Sequence, residues 1–522
     1  MTLIALITLL VIGGILSWMS ARLGSNWPRW ISLLTLIFSL YLLWMLKQSL
    51  HPHYAVLSPQ DEPQWWLQIS LPWIERFGIQ FQLGLDGLSF LLLVLTLALG
   101  IFSVLCSWSE IQHRVGFFHF NLMCTLAGIV GVFTALDLFL FFVFWEVMLV
   151  PMVMLIGIWG HEKRSYAAIK FFIFTQASSL LMLISIVTLV LWHFQATGEL
   201  TFNYFSLLST PLGSGAGFWL MLGFFIAFAV KIPVILVHSW LPDAHTQAPT
   251  AGSVILAAVL LKTGAYGLIR FTLPLFPQAS IDFAPVAMLL AVIGILYGAK
   301  LAFAQQDLKR FIAYTSISHM GFVLLGIYGL NNIAMQGAVL QMVAHGISTA
   351  ALFMIVGMIQ ERLHSRDLAV MGGLSSSIPR LAAFGLFFAV ASLGLPGMAN
   401  FVAEFLVLLG NFSAQPVFTI IAALGLVAAA IYSLAMLQRA FWGAQHQLSL
   451  KLGLMDLNRR EAGSLLVLAG ALLYFGIQPQ SLLNASKSSV DKVITQVFSS
   501  QSQLADVKEL SNNAMIRGTR ND

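Results

Sequence analysis

The chain reads as an all-α polytopic membrane protein of about fourteen transmembrane helices, two of them broken, with two inverted five-helix repeats. Three observations carry that reading. Of 522 residues, 59% are hydrophobic and only 9% are charged, against about 25% charged in soluble domains. Apolar runs of about twenty residues, long enough to cross a bilayer as helices, recur along the chain. The runs lack the two-residue alternation of a transmembrane barrel.

Taken in order, residues 1–115 hold spans at 2–20, 29–47 and 87–108. The first lacks a basic leader and an obvious small-residue cleavage site, so a retained helix is expected there. Between the second and third, WWLQISL and IQFQLGL alternate apolar and polar residues around PWIERFG, which predicts a short β-hairpin on the outer face. Residues 116–275 carry spans at 116–135, 137–159, 167–193, 217–239 and 250–273, the first repeat. Residues 285–445 carry spans at 285–305, 310–329, 333–360, 380–410 and 418–441, the second. Residues 446–522 hold a last span at 463–481 and a polar, Ser-rich tail. That tail is expected to be loosely ordered, and too short and polar for a further span or a long lateral helix.

The repeats follow from two interrupted spans. Pro233 breaks GFFIAFAVKIPVILVHSWLPDAH, and Pro396 with Gly397 breaks FFAVASLGLPGMANFVAEFLVLLG. Each broken helix carries a charge, and the two lie five spans apart. Discontinuous helices in corresponding halves point to inverted-repeat transporter architecture. An odd number of spans per repeat forces the second copy to be inverted.

The basic residues give the orientation. With the N-terminus outside, sixteen Lys and Arg fall on inner loops, three (Lys47, Arg76 and Arg270) on outer loops, and five on the tail. The positive-inside rule then places both termini on the outer, periplasmic side of a bacterial inner membrane. Two of the 26 basic residues remain, Lys231 and Lys262, both near mid-span. An unpaired cation there costs at least ~2.5–3.5 kcal/mol on insertion scales, so such residues mark ion or proton paths. Glu146 and Glu404 join them at depth.

Composition also bounds the chemistry. The two cysteines, Cys106 and Cys124, lie in spans with no CxxC motif, and two thiols cannot ligate a four-cysteine cluster. No GxGxxG or Walker motif is present, so neither NADH nor ATP is an expected ligand. No metal ligand set is expected. The net charge of +5 follows from membrane topology and does not indicate nucleic acid.

The segments FFVFWEVMLVPM, FAVKIPVILVHSWLPDAHTQAPTAGSVILAAVLLKTGAYGLIR, QQDLKRFIAYTSISHMGF and GLPGMANFVAEF resemble the antiporter-like membrane subunits of proton-pumping NADH:quinone oxidoreductase, respiratory complex I. The likeness runs over essentially the whole chain and looks closest to the M-type branch: the tail is short, and Glu404 stands where the L and N types have lysine. The resemblance implies a translocase subunit that carries no cofactor itself. FMN, iron–sulfur clusters and quinone would sit in partner subunits. Expected neighbours are the L- and N-type antiporter-like subunits and the lipid bilayer.

On the family pattern Glu146 and Lys231 match a glutamate–lysine pair. Opposite charges a few ångströms apart stabilise each other's ionised forms, so opening the pair would drive a proton off the lysine. Lys262 matches the central relay lysine, and Glu404 the terminal carboxylate from which the proton leaves. His319 and His345 match relay histidines, and imidazole both accepts and donates protons near neutral pH. Ser316, Ser318, Gln341 and Ser348 are placed to hold bridging water. His238 and His245 flank the WLPDA segment as secondary candidates. Asp137 opens a helix, where its charge favours the N-terminus, and Asp243 sits at the inner mouth for proton uptake or for capping. A sodium/proton antiporter subunit and a membrane-bound hydrogenase subunit are the alternative readings, since both share the lysine–glutamate axis.

Overall fold

The structure, a computed structural model, describes residues 1–54, 65–444 and 453–518. Four early helices, α1 (Thr2–Ser20), α2 (Trp27–Tyr54), α3 (Gly87–Glu110) and α4 (Val115–Thr134), precede α5 (Leu138–Trp159) and α6 (Arg164–Thr197). Next come α7 (Ser214–Lys231), the short α8 (Trp240–Gln247) and α9 (Thr250–Leu275). Then follow α10 (Pro277–Phe303), α11 (Leu308–Ile327), α12 (Asn332–Leu363), α13 (Pro379–Ser392), α14 (Ala399–Phe412) and α15 (Pro416–Ala440). The chain closes with α16 (Arg459–Ile477) and α17 (Gln480–Gly518). Among the described residues, thirteen helices are long and apolar enough to span alone. With α13 and α14 taken together as one interrupted crossing, the described residues hold the fourteen crossings that the sequence predicts.

The hairpin forms as β1 (Leu67–Ile74) and β2 (Ile79–Leu85), antiparallel, with Leu67 opposite Leu85. A turn of Glu75–Phe77 closes it, and Gly78 supplies the left-handed φ of 66°. Side-chain oxygens satisfy orphan helix N–H groups at several starts: Asp86 caps α3, Asp137 caps α5, Asp307 caps α11 and Asn331 caps α12.

The two breaks are built alike. After Lys231, Val234 N–H bonds Ala229 O and Val237 N–H bonds Val234 O; after Ser392, Leu395 N–H bonds Val390 O and Met398 N–H bonds Leu395 O. Leu236 (φ 84°) and Gly397 (φ 94°) occupy the same left-handed position. Trp240 Nε1 donates to Val230 O at 3.0 Å, so the break is stitched rather than open. A second likeness lies at the helix starts. Asp137 forms an antiparallel bridge with Asn203, just past α6, and Asp307 forms one with Asp367, just past α12.

Two expectations are corrected. The tail is a 39-residue helix, α17, about 58 Å long at 1.5 Å per residue. Leu482, Ser486, Ser489, Val490, Val493 and Val497 are buried against the bundle, and their three- to four-residue spacing makes the stripe that docks it on α3, α10 and α12. Its low mean hydropathy hid that stripe. Arg270 is no loop residue: it lies fully buried inside α9, ion-paired to Asp86 at the start of α3. Lys309 is also fully buried, donating to Ala248 O at 2.8 Å. The interior therefore holds more cations than the two mid-span lysines.

Candidate functional site

α9 is buried along its entire length, and it carries Lys262 at the centre. A π-helical turn, Leu256–Leu260, precedes the lysine. Such wide turns leave backbone groups free, often at functional positions. Here Lys262 Nζ donates to Ala257 O at 2.6 Å and lies 2.7 Å from His345 Nδ1 on α12. His345 is fully buried, its Nε2 has no hydrogen-bond partner among the described residues, and its ring centre stands 5.7 Å from that of His319 on α11.

His319 continues the row. Its Nδ1 lies 2.8 Å from Glu404 Oε1 on α14, and its Nε2 lies 3.2 Å from Ser392 Oγ at the α13 break and 3.3 Å from Tyr432 OH on α15. Gln341 Nε2 donates to the same Glu404 oxygen at 2.7 Å. The other oxygen, Oε2, has no hydrogen-bond partner among the described residues; a Cβ on Gly394 would sit 3.4 Å from it, so it faces the interrupted helix. The row Lys262, His345, His319, Glu404 thus combines two short hydrogen bonds with one gap between imidazoles. Ser348 and Asn400, also buried, bond each other at 3.3 Å beside it. Ser316 and Ser318 are turned away: their hydroxyls donate to the backbone at Ile312 and Ile295.

Lys231 stands at the last turn of α7, buried, between the rings of Trp145 (5.3 Å) and Phe171 (5.4 Å). Among the described residues its Nζ has no hydrogen bond and no carboxylate within 4 Å. Glu146, the expected partner, accepts instead from Ser179 Oγ on α6 at 2.5 Å. The pair is therefore apart in this structure. Aromatic faces give the ammonium an electrostatic refuge worth up to ~2 kcal/mol when desolvated. α7 and α9 touch where Gly264 faces Lys231, since a Cβ there would meet Lys231 Cβ at 2.9 Å.

The secondary residues divide. Asp137 accepts from Phe139, Leu140 and Gln80 N–H groups at 2.9–3.0 Å, fastening β2 to the start of α5. Asp243 on α8 bridges Lys170 (2.7 Å) and Arg310 (3.0 Å), tying α8 to α6 and α11. His245 is fully buried and stacked on Phe353 at 4.5 Å, with both ring nitrogens unpartnered. His238 packs edge-on to Tyr297, its Nδ1 also unpartnered. None of the four touches the Lys262–Glu404 row directly. Two groups escaped the sequence reading, Lys309 with His161 at 3.4 Å and Tyr432 against His319. Each lies at a contact between segments distant in sequence.

A family profile described as "NADH:quinone oxidoreductase/Mrp antiporter, TM" matches residues 135–431. The chain is 54% identical over 493 residues to NADH-quinone oxidoreductase subunit M of Escherichia coli (strain K12), covering 94% of this chain and 96% of that one. It is 54% identical over 507 residues to the subunit M of Pseudomonas aeruginosa, covering 96% and 99%. Its fold is similar to a chain of respiratory complex I from Thermus thermophilus with bound NADH: TM-score 0.84, 30% identity, covering 95% of this chain and 100% of that one.

Proposed function

This chain belongs to the subunit M family of NADH-quinone oxidoreductase, and from that premise we propose that it moves protons along Lys231, Lys262, His345, His319 and Glu404. The chain is a membrane-embedded, antiporter-like subunit of a translocase complex, and it works alongside other subunits of that complex.

Glu146 and Lys231 work as a gate. With Glu146 held by Ser179, the ammonium of Lys231 lacks a counter-charge in a low-dielectric interior, which favours release of its proton. With the carboxylate swung to Lys231, the charged form is favoured. The released proton passes to Lys262, then to His345 Nδ1. It crosses from His345 to His319 through the gap between their rings, a step that requires one bridging water. From His319 Nδ1 it reaches Glu404 Oε1, and it leaves from Oε2 beside the α13 break toward the outer side. The observation that carries this reading is the pair of short contacts, Lys262–His345 at 2.7 Å and His319–Glu404 at 2.8 Å, set end to end at 5.7 Å.

The surrounding architecture fits the same proposal. We read residues 116–275 and 285–445 as inverted repeats, supported by the matched breaks and the matched Asp137 and Asp307 bridges. Both termini lie on the periplasmic side of the inner membrane, the L- and N-type subunits flank the chain, and the flavin, iron–sulfur clusters and quinone belong to other subunits. Moving one charge against 100 mV costs ~2.3 kcal/mol, and a gate that forms and loses one buried pair works on that scale. The test uses inverted membrane vesicles oxidising NADH, with a pH-sensitive dye. Lys231→Ala and Glu146→Ala should abolish coupled acidification in complex that still assembles; full acidification in either variant would remove the gate.

A further inference from the structure

An open cleft of about 480 Å³ lies where the end of α1 meets the start of α4, lined by Trp18, Arg22, Arg114 and Phe117 among others. Its walls are fixed by close packing. A Cβ on Gly116 would meet Ala21 Cβ at 2.7 Å and Trp18 O at 2.9 Å, so the two helices touch through backbone. Trp18 tilts against Phe117 (5.4 Å) and Phe120 (5.3 Å), which makes an aromatic floor. Arg29 is spent on structure: it donates to Ile111 O at 2.8 Å and to Asn26 Oδ1 at 2.8 Å, bracing the loops behind the cleft.

Arg22 and Arg114 are different. Both are exposed, and among the described residues neither guanidinium has a hydrogen-bond or ion-pair partner. No acidic residue occurs in 16–32 or 111–134, and the nearest one in sequence, Glu110, is engaged by Thr250 N–H at 3.0 Å. Below the arginines, α1 turns an apolar strip outward: Ile12, Ile15, Leu16 and Met19 are all exposed. Two unneutralised guanidiniums at a helix end, an indole beside them and a bare aliphatic strip beneath repeat the layered chemistry of a phospholipid.

We propose that this cleft binds an anionic phospholipid, with its phosphodiester held by Arg22 and Arg114, its glycerol region on Trp18, and its acyl chains along α1. Guanidinium groups bind phosphate through paired, charge-assisted hydrogen bonds. Indoles favour the headgroup boundary of a bilayer. A free anion would satisfy the arginines but leave the aliphatic strip uncovered, so the lipid accounts for both halves of the surface. The proposal is independent of the proton path.

The experiment uses the assembled complex in phosphatidylcholine nanodiscs doped with a photoactivatable phosphatidylglycerol, and peptide mapping of the adducts. Labelling is expected at Trp18 to Arg22 and at Gly116 to Phe117. Unlabelled phosphatidylglycerol should compete, and neither added phosphatidylcholine nor inorganic phosphate should. Arg22→Gln and Arg114→Gln should each cut labelling about five-fold, and the double variant about 25-fold, the scale of a juxtamembrane arginine on an anionic leaflet. Arg76→Gln, an exposed arginine of the hairpin turn, should change nothing. Labelling that survives the double variant, competition by phosphatidylcholine, or protein crosslinks from a neighbouring subunit at Trp18 without any lipid adduct would each overturn the assignment.

Discussion

Lys262 on α9 and His345 on α12 lie 2.7 Å apart, and both are completely buried. One proton shared between two basic nitrogens suits transfer better than storage, because neither partner is an anion that would hold the charge in place. Lys262→Met should keep the packing volume and stop proton transport. His345→Gln should keep a polar contact and also stop it, since an amide cannot pass a proton. Dye-detected acidification in NADH-oxidising vesicles measures both. Normal transport in either variant, at normal complex content, would show that the proton travels elsewhere.

Ser179 holds Glu146 at 2.5 Å while Lys231 rests between Trp145 and Phe171. Ser179→Ala removes that hold without adding bulk. Glu146 is then free to reach Lys231, and the closed state gains at the expense of the open one. NADH-driven acidification should slow several-fold, with assembly unchanged. A rate at or above that of the parent would mean that the serine does not set the gate.

Much of this arrangement was legible in the sequence, because its signals are local. Apolar runs gave the crossings, the alternation at 65–85 gave the hairpin, and Pro233 and Pro396 gave the breaks. The mid-span charges singled out Lys262 and Glu404, which lie in one row with the two histidines that motif likeness added, while Glu146 and Lys231 stand outside that row. The losses share one cause, a partner remote in the chain. Arg270 reads as a loop residue until Asp86, 184 residues away, is seen against it. Lys309 reads as an inner-loop cation until Ala248 O and His161 close over it. The separation of Glu146 from Lys231 depends on side-chain direction, which spacing does not report. α17 is the exception: its stripe at 482, 486, 489, 490, 493 and 497 is local periodicity, hidden only by averaging over polar residues.

Gly264 is required by a close approach. A methyl there would lie 2.7 Å from Phe228 O and 2.9 Å from Lys231 Cβ, between α7 and α9. Gly264→Ala should push the two helices apart at a cost of about 1–3 kcal/mol. It should lower both the complex content of membranes and the acidification rate per complex. Gly294→Ala on α10 is the control, because a Cβ there meets nothing within 4 Å. Equal behaviour of the two variants, by native gel and dye quench, would contradict the packing argument.

Asp86 caps α3 and at the same time pairs with Arg270 and accepts from Ser489 Oγ at 2.7 Å on α17. Asp86→Asn keeps the cap, since asparagine caps as well as aspartate. It leaves Arg270 charged and unpaired in the interior, a loss of about 3–5 kcal/mol. Thermal unfolding of the purified complex should begin at lower temperature, and protease should reach α17 sooner. Replacing both partners with apolar residues, Asp86→Leu with Arg270→Met, should recover much of the loss. An Asp86→Asn complex as stable as the parent would show that this pair is not what fastens the terminal helix.

His161, in the loop between α5 and α6, lies 3.4 Å from Lys309 Nζ and 3.4 Å from Gln360 Nε2. Burial, then Lys309 and Arg366, lower its pKa from 6.5 to about 3. The ring is therefore neutral in the fold, whereas the unfolded loop takes up a proton below pH ~6.5. A lowered folded-state pKa gives stability that is complete above the unfolded value and declines as pH falls from 6.5 toward 3. Amide exchange in residues 160–164 and at the start of α11 should thus speed up between pH 7.5 and pH 5, after correction for intrinsic exchange. His161→Gln, which cannot take up the proton, should flatten that dependence while leaving exchange at pH 7.5 nearly as before. A parent protein with no pH dependence in this seam, or a glutamine variant that keeps it, would mean that the histidine is not the titrating group there.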